Sequence, residues 1–175
     1  MKTKVLGKKS KKLNFTGKDL LDSIPRNRKK IEHGIDIWNV YDFMFKDKKE
    51  VPHLKVLEII IPSNSKFIVE SKSMKLYLNS FYDIAFTNQS EILKKIKRDL
   101  KSLIKDDVKL RFIDKFSVEP KNINLNQSNC ETIQRRKIIK FNGFRSICPV
   151  TSQPDFANIY IYSCLLYTSD AADEE

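Results

Sequence analysis

The chain has 175 residues, 41% of them hydrophobic, and a formal net charge of +11. That length fits one domain, or one and a fraction, and the apolar share is enough for a real core. No run of about eighteen apolar residues occurs, so the sequence contains no membrane-spanning helix signal. The basic start, MKTKVLGKKSKK, lacks an apolar segment and does not read as a secretory signal. Cys130, Cys148 and Cys164 show neither metal-ligand spacing nor a disulfide framework. No metal is expected, and the cysteine usage fits the reducing cytoplasm. The lysines are spread along the chain beside abundant isoleucine and asparagine, which reads as compositional bias rather than a basic patch. Direct nucleic-acid binding is therefore not expected, although a basic RNA-binding module stays open as an alternative.

Residues 1–19 read as a basic, disordered arm. In LLDSIPRNR, Leu20 to Arg28, Pro25 breaks any helix. Gly34 to Phe45 reads as an extended segment over the core, with Ile35, Ile37, Val40, Phe43 and Phe45 as its apolar side. KVLEIII (55–61) and KFIVE (66–70) flank Pro62-Ser63-Asn64-Ser65, the signal of a β-hairpin. Met74 to Phe81 shifts to helical spacing. A clear amphipathic helix follows from Gln89 to Lys105, with Ile92, Leu93, Ile96, Leu100, Leu103 and Ile104 on one face. Asn88 can cap it, with Glu91 as the return partner. Its lysines lie off that face and read as solvated.

Val108 to Phe116 alternates as a half-buried strand. Pro120 to Glu131 is polar and asparagine-rich, hence a loop, and Arg136 to Phe141 returns as a strand. Asn158 to Tyr162 is another. This order predicts an α+β fold with helices on one face of an antiparallel sheet. His33 and His53 read as surface or turn residues.

Two dense stretches carry chemistry. In FRSICPVTSQPDF, Phe144 to Phe156, Cys148 sits in a loop framed by Pro149 and Pro154, and Asp155 follows at the start of a strand. A thiol and a carboxyl held this way can serve as a nucleophile and its proton-transfer partner. A free thiol, with a pKa of about 8.5, is only slightly ionised at neutral pH and needs such a partner. Burial of Asp155 beside Phe156 is expected to suit it to that task. The other stretch is FIVESKSMKLYLNSF, Phe67 to Phe81. Read alone, Glu70 and Lys72 are ordinary strand-end residues, and Cys148 is a small buried side chain.

ESKSMKLYLNSF, Glu70 to Phe81, resembles the signature of the 7-cyano-7-deazaguanine reductases, the nitrile reductases of queuosine biosynthesis. ICPVTSQPDF, Ile147 to Phe156, resembles their catalytic loop, and IPRNR and GIDIWNVYDF resemble the N-terminal module of the long, two-module form. The ESKS motif precedes the cysteine, as in that form. The resemblance runs from about Leu20 to Tyr162.

It implies the tunnelling fold, an antiparallel four-stranded sheet with two helices on one face. Residues 20–142 would form the N-terminal module and 143–163 the beginning of a second. It implies a homodimer, NADPH as cofactor, and reduction of a 7-deazaguanine nitrile to a primary amine. It assigns Cys148 as the nucleophile forming a thioimide and Asp155 as the proton donor and acceptor. Val69, Glu70 and Ser71 would bind the substrate, with Glu70 accepting from its guanine-like edge. Ser71 and Lys72 would meet NADPH. A His-Glu pair and an Arg-Gly pair of the family have no counterpart before Tyr162. Another tunnelling-fold enzyme acting on pterins or purines is the alternative within the fold, although its zinc ligands are missing from the pattern.

The last residues break the composition abruptly. CLLYTSDAADE, within residues 164–175, is identified as the in-frame translation of a common transposase-type sequencing adapter. On that reading the native sequence stops near Tyr162, and the truncated chain is expected to be inactive.

Overall fold

The computed structural model describes residues 17–26, 33–125, 138–148 and 152–162. The expectations for the basic arm up to residue 16, for Cys130 and for residues 163–175 lie outside them. The chain divides into two compact units, Met1–Phe116 and Ser117–Glu175. Position 142, where the sequence divides two modules, lies inside a strand of the second unit.

The first unit is built on β2 (Ile35–Asp47) and β3 (Pro52–Pro62), an antiparallel pair joined by a tight turn. Asp47 makes that turn. Its Oδ1 accepts from the amides of Lys49 at 2.8 Å and Val51 at 3.0 Å. β6 (Lys109–Ile113) pairs antiparallel with the other edge of β3, and the two-residue β5 (Ala85–Phe86) pairs parallel with β2. The sheet order is β5-β2-β3-β6. Four strands are thus present as expected, but the edge strand β5 runs parallel rather than antiparallel.

Two helices close one face of this sheet. α1 (Ser71–Asn79) buries Met74, Tyr77 and Leu78, and α2 (Gln89–Ile104) buries Ile92, Ile96, Leu100 and Ile104. These join Phe43, Leu57, Ile59 and Ile61 in one core. Fully burying each such side chain contributes about 1.5–3 kcal/mol, so the apolar stripe of α2 alone fixes that helix on the sheet. Asn88 caps α2, its Oδ1 accepting from the Glu91 amide at 3.0 Å. The Glu91 carboxylate in turn accepts from the amide of Thr87, one residue before the cap.

Several expectations are corrected. The Pro62–Ser65 turn does not join a hairpin. β4 (Phe67–Val69) leaves the main sheet and pairs with β1 (Ser23–Pro25) as a separate antiparallel ribbon. Ile35 and Ile37 face outward, at 58% and 52% exposure, while Trp38 and Val40 pack on the core. A register shift between Val40 and Phe43 changes which parity points inward. Phe116 is exposed and stacks obliquely on Tyr41 instead of entering the core. His53 does more than line a turn: it stacks on Phe45 and bonds to Asp47.

The second unit holds a three-stranded sheet in the order β7-β8-β9. β7 (Asn122–Asn124) falls in the stretch expected as a loop and pairs parallel with β8. β8 (Ile138–Ile147) runs six residues beyond the expected end at Phe141, and β9 (Pro154–Tyr162) returns antiparallel. Among the described residues, no helix is long and apolar enough to cross a membrane.

Candidate functional site

Val69, Glu70, Ser71 and Lys72 meet at the junction of β4 and α1. Val69 pairs with Ser23, and the Glu70 amide donates to the Asp22 carbonyl at 2.9 Å, so the β1–β4 ribbon delivers the chain to the start of the helix. Glu70 is the N-cap of α1, with extended backbone angles. Its Oε1 accepts from the Lys72 amide at 2.9 Å and its Oε2 from the Ser73 amide at 2.8 Å. The Ser71 hydroxyl lies 3.5 Å from Oε1. Glu70 is only 2% exposed, as is Val69, whereas Ser71 is exposed and Lys72 half-buried.

Glutamate is an unusual N-cap; serine, threonine, aspartate and asparagine lead. Its extra methylene lets one carboxylate span the second and third amides of the helix together. An ionised carboxylate offers about four lone-pair sites, so one acceptor position remains after the two helix amides and the Ser71 hydroxyl. The sequence pointed to Glu70 as an acceptor for a ligand. The structure adds that the same group holds up the helix.

Sequence reasoning missed Ser73. Fully buried, it donates its hydroxyl to the Glu70 carbonyl at 2.7 Å and accepts from the Asp22 amide at 3.0 Å. The signal was present as the final serine of ESKS, three residues after the cap. Arg26 was also missed. It ties the ribbon to the sheet through Ser65 at 3.3 Å, through an ion pair with Asp36, and through its amide to the Lys66 carbonyl.

Cys148 and Asp155 belong to the second unit. Cys148 directly follows β8, half-buried, and its amide donates to the Gln153 carbonyl at 2.9 Å. The Ser152 amide donates back to the Cys148 carbonyl at 2.9 Å, with Ser152 in the left-handed region at φ 57°. Asp155 lies opposite Ser146 on the ladder. Side chains paired across an antiparallel ladder share a face, and alternate residues along a strand return to it. Cys148 and Asp155 therefore project from the same face of the hairpin as diagonal neighbours, with Cα atoms about 7–8 Å apart by ordinary ladder geometry. Burial of Asp155 beside Phe156, expected from the sequence, is not found: both are exposed, Phe156 at 70%. Phe156 points to the opposite face, because adjacent strand residues alternate.

Upstream, a register shift between Phe141 and Phe144 inserts one extra residue into β8. Gly143, at φ 84°, absorbs it. The bulge keeps Ile139 and Phe141 on the same face as Phe144, Ser146 and Cys148.

Among the described residues, no group of three His, Cys, Asp or Glu side chains is placed to hold a metal ion. The donor set at the start of α1 suits an anionic cofactor group. The Ser71 hydroxyl and the Lys72 ammonium offer hydrogen bonds and a point charge. The amides of Lys72 and Ser73 are already engaged by Glu70, so a phosphate here would meet side chains rather than the helix cap.

Residues 18–112 match the family described as nitrile reductase, 7-cyano-7-deazaguanine-reductase N-terminal. The chain is similar to the NADPH-dependent 7-cyano-7-deazaguanine reductase of Rickettsia bellii, at 34% identity over 89% of this chain and 68% of that protein. The enzyme of the same name from Coxiella burnetii is 30% identical, over 82% of this chain and 62% of its own length. The Buchnera aphidicola enzyme is 31% identical, over 78% and 63%. The chain thus spans about two thirds of the length of these relatives. It belongs to the nitrile reductase family of the 7-cyano-7-deazaguanine reductases.

Proposed function

We propose that this chain carries the nucleophile-bearing part of an NADPH-dependent nitrile reductase. The enzyme converts 7-cyano-7-deazaguanine to 7-aminomethyl-7-deazaguanine in queuosine biosynthesis. The observation that carries the reading is the placement of Cys148 and Asp155 on one face of the β8–β9 hairpin.

The chemistry follows from these side chains. Asp155 takes the Cys148 thiol proton, and the thiolate sulfur attacks the electrophilic nitrile carbon to form a thioimide. The new C–S bond forms as one C–N π bond opens, and the nitrogen takes up a proton. NADPH, when bound, supplies the two hydride equivalents that the nitrile-to-amine conversion consumes. Asp155 returns protons to nitrogen, and the C–S bond breaks to restore the thiol. Val69, Glu70 and Ser71 bind the deazaguanine ring, with Glu70 accepting from its donor edge. Ser71 and Lys72 hold NADPH. The resemblance to the long form further supports a cytoplasmic homodimer acting on the free base.

An NADPH-oxidation assay on a version extended to the length of its relatives tests the proton-transfer role. Asp155→Asn should slow turnover by about a hundredfold or more, within the usual range for a lost general acid–base group, while leaving the melting temperature unchanged. Turnover unaffected by Asp155→Asn would remove that residue from the mechanism.

A further inference from the structure

Glu70 is held at every polar atom it has. Its amide donates to the Asp22 carbonyl, its carbonyl accepts from the Ser73 hydroxyl and the Met74 amide, and its two carboxylate oxygens accept from the Lys72 and Ser73 amides and the Ser71 hydroxyl. Ser73 appears twice in that set, once through its amide and once through its hydroxyl. The same hydroxyl accepts from the Asp22 amide. It therefore bridges Asp22, the residue before β1, with the cap residue and the first turn of α1.

We propose that Ser73 is a positioning residue for substrate recognition. Its hydroxyl fixes the peptide plane of Glu70 so that the carboxylate presents its remaining acceptor position in a set direction to the donor edge of the deazaguanine base. This rests on the reading of Glu70 as the substrate acceptor. A helix cap alone does not require such rigidity. An aspartate or serine, the commoner caps, would hold α1 with a shorter and less mobile side chain. A glutamate has one more rotatable bond than an aspartate, and that freedom must be removed if its remaining acceptor position is to meet a rigid planar ligand. Ser73 removes it from the backbone side, and the Lys72 and Ser73 amides remove it from the carboxylate side. The position has no room to spare: Ser73 is fully buried, so its hydroxyl bonds do not compete with solvent.

The test is site-resolved amide hydrogen exchange on the 175-residue chain and its Ser73→Ala and Ser73→Thr variants. In Ser73→Ala the Lys72 amide, which reports the carboxylate's position, should exchange about tenfold faster, as for the loss of one buried hydrogen bond. The amides of the second turn of α1 and those of α2 should keep their rates. Ser73→Thr retains the hydroxyl and should keep the Lys72 amide protected. Unchanged Lys72 exchange in Ser73→Ala overturns the proposal. So does uniform acceleration along α1, which marks Ser73 as merely a helix-stabilising residue. If Ser73→Thr fails to fold, the Ser73→Ala pattern across α1 still decides. Failure of the underlying functional reading shows differently, as unchanged affinity for 7-cyano-7-deazaguanine in Glu70→Gln.

Discussion

The amide of Cys148 donates to the carbonyl of Gln153 at 2.9 Å, one step beyond the Ile147–Pro154 pair that ends the β8–β9 ladder. That bond carries the strand register into the loop. It is why a thiol at 148 and a carboxyl at 155 share a face although seven positions separate them in the chain. A slip of one residue would send the two to opposite faces.

Tyr77 links the two helices. Its hydroxyl donates to Asp99 at 3.0 Å inside the core, and Asp99 also meets Lys95 and Arg98. Burial, reinforced by the Asp99 charge, pushes the Tyr77 phenol well above its ordinary range. A raised phenol means the folded state binds its proton more tightly than the unfolded chain. That stability is fully present below the ordinary tyrosine value of about 10 and is lost as pH rises above it. Tyr77→Phe should cost about 1–3 kcal/mol at neutral pH, because Asp99 loses a buried donor. The variant should also unfold less steeply between pH 9 and 11 than the parent, and urea titrations across that range would show this.

Asp47 orders the β2–β3 turn. Its bond to His53, followed by that from the Val51 amide, holds its carboxyl below the usual range. A depressed carboxyl contributes stability above its unfolded value, and that contribution disappears as pH falls through the acid range below about 4. Asp47→Asn should flatten the fall in melting temperature between pH 5 and 3. An identical acid profile in the variant would show that the turn is not a source of acid sensitivity.

Much of the first unit could be read directly. α2 was legible because its apolar residues repeat at helical spacing and Asn88 is a preferred cap. β6 was legible from strict alternation. The pairing of β4 was not, because turn residues report a local reversal and say nothing about which distant strand supplies the hydrogen bonds. The inward face of β2 was misread at Ile35 and Ile37 because a bulge changes parity midway. β7 is too short and polar for a hydrophobic pattern to mark it. Cys148 and Asp155 stood out by motif, yet the exposure of Asp155 depends on what covers β9, which strand alternation does not reveal. Ser73 was hidden because a buried serine has no periodic signature.

Gly34 shows a steric requirement that sequence pattern could not display. At φ 138° it occupies backbone space unfavourable to other residues, and a Cβ built there would lie 2.9 Å from Ser63 Oγ. Gly34→Ala should destabilise the first unit by about 1–3 kcal/mol. Ser63 Oγ is buried with no hydrogen-bond partner among the described residues, so Ser63→Ala should be close to neutral by itself. The double variant should recover the part of the loss due to the clash and keep the part due to φ. Urea unfolding of the three variants checks the partition.

The proposed chemistry turns on attack of the nitrile carbon by Cys148. The most direct measurement is the intact mass of the protein, extended to the length of its relatives, after incubation with 7-cyano-7-deazaguanine and no NADPH. The parent protein should gain one substrate mass, and Cys148→Ala should not. An adduct that survives Cys148→Ala, or no adduct in the parent protein, would contradict it.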